Sequence, residues 1–157
     1  MTFASGLYVV NFIDALDATQ LALDLSLTSH KIALYTDTKT PNFSSDTGYS
    51  STNEVSGTGW AAGGVALSAA ASGATSVAPT FTDNGSGTGV AKYTFTNAVS
   101  VASTTLTNAR GMIVYADALA GDNNIFAVTF GADYSTVAGT FGITPHANGL
   151  FTIDFVP

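Results

Sequence analysis

Apolar and polar residues alternate in several short runs, and turn-forming residues separate the runs. This pattern constrains the fold more than any other feature of the chain. In residues 91–98, Tyr93 and Phe95 alternate with Lys92, Thr94 and Thr96. In residues 150–156, Phe151, Ile153 and Phe155 alternate with Thr152 and Asp154. A period of two gives a strand one buried and one wet face. Residues 112–115, Met-Ile-Val-Tyr, are apolar on both faces and belong in the interior of a sheet. Further strands are expected at 30–35, 65–71, 77–81, 125–130 and 140–144. Pro79 cannot donate a ladder hydrogen bond, which puts 77–81 at an edge. Polar turns fall at 83–89 and 121–124, and another carries Pro145, Asn148 and Gly149. About seven to nine short strands predict a mainly β chain, folded as a β-sandwich or a jelly-roll-like barrel.

Two segments near the start break the pattern. In residues 3–16, Val9, Phe12, Ile13 and Leu16 have the spacing of a buried helix face, and Ser5 is placed to cap the helix start. This helix is expected to pack over an open end or edge of the β-body. In residues 21–27, leucine alternates with Ala22, Asp24 and Ser26. The same leucines also fit helical spacing, and the alternation favours an extended segment. Residues 37–52 read as loop. With no internal repeat or linker tract, residues 1–157 read as one domain: a helix at 3–16 and a β-rich body over 30–157.

Only 10% of the residues are charged, whereas 46% are hydrophobic. So sparse a charge suits a chain that works packed against neighbours. Four Lys and Arg stand against eleven Asp and Glu, for a net charge of −7. Phosphate and anionic lipid surfaces need clustered positive charge, so neither nucleic acid nor membrane is an expected partner. Cysteine is absent, which excludes disulfides and thiolate metal sites. The start has no basic stretch and no apolar run approaches a membrane span, so the expected site of synthesis is a cytoplasm.

Catalytic chemistry finds little purchase. His30 and His146 are the only histidines and have no ligand-spaced companion. Ser56 and Ser86 sit beside glycines in turns, with no nucleophile elbow around either. Asp14 and Asp17 share a helical face, as solvated acids commonly do. Residues 83–87 and 122–124 are oxygen-rich but lack the ligand spacing of a calcium loop. No glycine-rich stretch continues into Gly-Lys-Ser/Thr. No catalytic residue, metal or cofactor is expected, and the chain is not expected to be an enzyme.

Residues 53–67 are the most distinctive stretch. Trp60, the only tryptophan, lies between Gly57 and Gly59 on one side and Gly63 and Gly64 on the other. Glycine adopts backbone angles that other residues avoid, so the stretch reads as a turning loop entering a strand near Val65. It also carries Glu54, the only glutamate. Arg110, the only arginine, enters the doubly apolar strand, where it pairs either within the domain or across a subunit interface.

Several of these pieces occur together in order: Lys31-Ile32-Ala33-Leu34-Tyr35, residues 53–64, residues 109–115, Phe126 to Phe130 with Gly131, residues 139–144, and Asn148-Gly149-Leu150-Phe151. In this the chain resembles a family of small structural proteins of tailed bacteriophages, across residues 1–157. Two departures stand out: tryptophan in place of a tyrosine at position 60, and leucines over 21–27 in place of an acidic stretch. The resemblance implies a virion component, with a capsid decoration (cement) protein as the leading expectation. Such a protein would bind the major capsid protein and copies of itself, a trimer being one arrangement, on the capsid exterior. The alternatives are a tail, baseplate or head-tail adaptor component, and a glycan- or host-surface-binding β-sandwich using Tyr8, Tyr49, Trp60 and Tyr134 as platforms. The candidate interface residues are Trp60, Arg110, Glu54 and Tyr49. Trp60 points either into its own core or into a neighbour.

Overall fold

The computed structural model describes residues 3–16, 21–67, 79–83, 89–95 and 99–156. In chain order these form β1 (Gly6–Leu7), α1 (Val9–Leu16), β2 (Lys31–Tyr35), β3 (Glu54–Val55), β4 (Val65–Ala66), β5 (Pro79–Asp83), β6 (Val90–Phe95), β7 (Val99–Ala116), β8 (Asn123–Ile143) and β9 (Phe151–Asp154). The strands make two antiparallel sheets, so the fold is a β-sandwich with one short helix. The larger sheet runs β1-β8-β7-β2-β3, with β4 also on β2, and the smaller runs β5-β6-β9.

The centre of the molecule is the β2–β7–β8 ladder. Ile32 opposes Val114 and Leu34 opposes Met112, while Ile113 pairs with Ala127 and Val114 with Phe126. The apolar run at 112–115 is buried on both faces, as its composition requires. On one face Met112 and Val114 join Ile32, Leu34, Tyr93, Phe95 and Phe126 between the two sheets. Tyr93 lies flat against Phe151, at 5.1 Å and 8°, and edge-on to Phe126 at 5.4 Å. On the other face Ile113 and Tyr115 meet Phe3, Tyr8, Ala33 and Tyr35, with Phe43 and Tyr49 of the 37–52 loop packed on them. The loop and the amino-terminal segment thus form a third layer.

The expected strands at 30–35 and 150–156 appear as β2 and β9 with trimmed ends, and the one at 91–98 appears as β6, which begins at Val90. Pro79 opens β5, an edge strand of the small sheet. Residues 77–78, 68–71 and 96–98 of the expected strands lie outside the described residues. The strands expected at 125–130 and 140–144 are one strand, β8, and β7 extends far beyond 112–115. Register shifts bend this long hairpin. Ser103, Asn108 and Ala138 adopt positive φ, and the pairing slips between Ala109–Tyr134 and Gly111–Thr129.

The amino terminus departs most from expectation. Residues 6–7 are a strand on β8, and the helix begins only at Val9. Ser5 does not cap it: its hydroxyl accepts from the Thr129 amide at 2.8 Å. Of the apolar stripe, Phe12 packs against the core, whereas Val9, Ile13 and Leu16 face outward. Ile13 is 58% exposed and Leu16 86%, while Asn11 is buried. The cause is the Asn11 amide, which donates to the carbonyls of Thr47 at 2.6 Å and Asn124 at 2.7 Å. These bonds join α1 to the 37–52 loop and to the start of β8, and they set the rotation of the helix. In residues 21–27 the side chains of Leu21, Leu23 and Leu25 turn inward and those of Ala22, Asp24 and Ser26 outward, without a ladder partner.

Substituting Asn11→Ala leaves two carbonyls without their donor and should cost about 2 kcal/mol in urea unfolding. Ile13→Lys, on a conventional amphipathic helix a core disruption, should change stability by less than about 0.5 kcal/mol.

Candidate functional site

The Trp60 loop begins and ends on the same strand. At its start Val55 pairs with Leu34, and at its end Val65 pairs with Ile32. The excursion between them is an Ω-like loop rooted on the outer edge of β2. Two glycines let it lie against the sheet. A Cβ on Gly57 would fall 2.1 Å from the Thr105 carbonyl oxygen, and one on Gly64 would fall 2.0 Å from that of Ile32. Gly64 also has φ +75°, a conformation that favours glycine. The Thr105 amide donates to the Thr58 carbonyl at 3.1 Å, fixing the loop tip to β7.

This geometry drives Trp60 inward. The indole is fully buried and meets Phe141 edge-on at 5.5 Å. Of the two expectations for Trp60, the residue occupies its own core and is not an exposed anchor. Its Nε1 has no hydrogen-bond partner among the described residues.

Glu54 and Tyr49 are clamps of the same loop. Glu54 Oε1 accepts from the Gly63 amide at 2.9 Å, and Oε2 accepts from the Tyr49 hydroxyl at 2.6 Å. The Tyr115 hydroxyl donates to the Gly63 carbonyl at 2.5 Å, and the Tyr49 and Tyr115 rings stack at 4.9 Å. Burial, then the bond to Glu54, push the Tyr49 hydroxyl up to about 12, so it remains a donor at neutral pH. Both groups are committed within the chain, and the carboxylate of Glu54 has the donors of a structural acid.

Arg110 also pairs within its own chain. Its Nε donates to Asp133 Oδ1 at 2.7 Å and its Nη1 to the Gly131 carbonyl at 3.0 Å, while Asp37 lies 3.6 Å away. The guanidinium therefore holds the segment where β8 slips against β7. Two further cations are engaged: Lys31 with Asp117 at 2.8 Å and Lys39 with Asp46 at 3.7 Å.

The remaining candidates scatter. His146 Nδ1 accepts from the Asn148 amide within its turn. Asp17, Ser86 and residues 84–88 of the oxygen-rich segment lie outside the described residues. Asn124 Nδ2 donates to the Gly48 carbonyl at 2.8 Å, and Asn123 Nδ2 points to Asn11 Oδ1. The 122–124 amides thus act as donors inside the fold. Among the described residues no three His, Asp or Glu side chains gather as a metal site. Of the four proposed aromatic platforms, Tyr8 and Trp60 are buried, Tyr49 is half-buried and bonded, and Tyr134 is 52% exposed.

Exposed features concentrate elsewhere, at places the sequence reading did not single out. One is the distal part of β8. Among the described residues, its outer edge pairs with β1 only at Phe126 and Ala127, so from residue 130 onward it has no strand beside it. There Phe130, Tyr134, Thr136, Phe141 and Ile143 line a groove of about 480 Å³, and Val137 stands 86% exposed. This stretch falls between the strands expected at 125–130 and 140–144, so the sequence did not mark it as part of one strand. A second exposed feature is the outward face of α1.

No protein-family model matches the chain, and no curated protein or solved structure matches it detectably. No helix among the described residues is long and apolar enough to cross a membrane.

Gly64→Ala should destabilise the chain by about 2–4 kcal/mol, because the new methyl meets the Ile32 carbonyl in a strained backbone. The emission of Trp60, the single tryptophan, should shift to the red as the loop lifts, and denaturant titration measures the loss.

His30 supplies a pH dependence. Its Nε2 donates to the Asp24 carbonyl at 2.7 Å, and its buried Nδ1 has no partner among the described residues. Burial lowers its pKa below the ordinary 6.5, since taking the ring out of water disfavours the charged form. The unfolded chain takes up that proton first. Stability is therefore full above pH 6.5 and falls as the pH drops below it. His30→Gln should flatten the decline between about pH 6.5 and 5, before carboxylates begin to titrate.

Proposed function

We propose that the chain is a structural component of a tailed-bacteriophage virion that decorates the outside of the capsid, bound to the major capsid protein and associated with copies of itself. The phage assignment rests on the residue resemblance over 53–64 and 109–115. The observation that carries the binding role is the distal edge of β8, which has no strand on it among the described residues. An open edge offers a row of backbone donors and acceptors to a strand of a neighbour, and its side chains supply specificity. Here the edge is long, and Tyr134 and Val137 beside it are exposed apolar contacts. Arg110 braces the strand from inside, so the edge is presented by a rigid element. The polar surface, low in charge, fits a protein that works among close neighbours. A glycan platform has weaker support, with Tyr134 alone exposed among its four aromatics.

The test is to add purified protein to shells of the encoding phage that lack it. The shells should gain protein in a fixed copy number and rupture at a higher temperature. Tyr134→Lys/Val137→Lys, which alters only exposed side chains, should bind at least tenfold more weakly. Unchanged heat stability, or recovery of the protein only on detached tails, refutes the decoration role.

A further inference from the structure

The outward stripe of α1 forms one wall of a second groove. Leu23 and Leu25 of the 21–27 segment form another wall, and Phe81, Ile153 and Phe155 from the end of the small sheet complete it. Its volume is about 690 Å³, within the range of built binding clefts. It shares no lining residue with the β8 groove. Val9, Ile13, Leu16, Phe155 and Val156 remain exposed around it, a continuous apolar surface of the kind that marks an interaction site. The surface is held open by structure: Asn11, fixed by two backbone carbonyls, keeps the stripe turned outward.

The charge around the groove identifies what fits. Among the described residues Asp24 is the one charged residue lining it. Hydrogen bonds from Ser26 hold the Asp24 carboxyl below its usual range, and both go to Oδ1. No lysine or arginine lines the groove. A second copy of this chain is poorly suited to fill it. Each copy carries a net charge of −7 and four cations; Lys31, Lys39 and Arg110 are paired with their own carboxylates, which leaves Lys92, set against the Ala147 carbonyl at 3.5 Å, as the one cation outside those pairs. An anionic lipid surface would meet the same repulsion.

We propose that this groove receives a short amphipathic segment of another protein, whose apolar side chains fill the cleft and whose flanking lysine or arginine meets Asp24. The apolar contacts supply the affinity, and the charge sets orientation and selectivity. This site stands apart from the β8 edge and does not depend on the capsid reading.

The test uses the full chain and two labelled peptides with the same leucine-rich centre, one flanked by lysines and one by glutamates, read by fluorescence anisotropy at low salt. The lysine-flanked peptide should bind at least tenfold more tightly. Asp24→Asn should narrow that difference. Ile13→Lys/Leu16→Lys should abolish binding while leaving thermal unfolding unchanged, since both side chains already face solvent. Tyr134→Lys/Val137→Lys should bind the peptide normally, which separates this site from the β8 edge. Equal binding of the two peptides, or binding of neither, overturns the proposal. So does a dimer in sedimentation that Ile13→Lys/Leu16→Lys dissolves, because a second copy would then be the occupant.

Discussion

The β2–β7–β8 ladder has to be covered twice, and most of the structure follows from that. Ile32, Leu34, Met112 and Val114 face one way, and Ala33, Tyr35, Ile113 and Tyr115 the other. A sheet with one wet face would have sufficed for β6 or β9, but not for these strands. The small sheet and the Trp60 loop cover the first face. The second has no sheet to cover it, so the polar 37–52 loop and the amino-terminal segment must lie across it with their backbone groups satisfied. Asn11, Asn123 and Asn124 meet much of that demand. Buried amides are the means by which a loop can serve as a layer.

This accounts for what the sequence made legible. Strand periodicity depends on which face is buried, and it marked β2, β6, β9 and the core of β7. It also marked the in-and-out alternation over 21–26, though not the outward turn of Leu27 or the absence of a ladder there. The rotation of α1 was hidden because its stripe obeys helical spacing, while a single asparagine with two distant carbonyl acceptors overrides that spacing. Nothing local announces partners at positions 47 and 124. The continuity of β8 was hidden for a similar reason. Gly131 and Gly139 resemble turn punctuation, but here they sit within a bulged strand whose partner, β7, supplies the pairing.

The four candidate interface residues show how function-like chemistry can be absorbed by architecture. Glu54, Tyr49 and Arg110 are rare or polar residues beside glycine-rich backbone, a pattern shared by binding sites and by loops that must be tied down. Glu54 takes its hydrogen bonds from Gly63 and Tyr49, and Arg110 gives its own to Asp133 and Gly131. Trp60 is the plug of the loop they fasten. Rarity in the sequence indicated places of strong constraint, and the constraint is structural.

What the fold leaves unsatisfied is therefore more telling than what it contains. Turning α1 to bury Ile13 and Leu16 would gain roughly 1.5–3 kcal/mol per side chain. It would also strip the buried Asn124 carbonyl and the part-buried Thr47 carbonyl of their donor and break the join between α1, the loop and β8, at about 1–3 kcal/mol for a buried unsatisfied group. The two sums are comparable, so the apolar stripe gains little within the isolated chain by turning inward. Covering the stripe from outside avoids the conflict, since an external segment buries Ile13 and Leu16 while Asn11 keeps both carbonyls. An outward stripe that gains little by turning inward, and that an external segment could bury without disturbing Asn11, is the energetic condition for the docking proposed above.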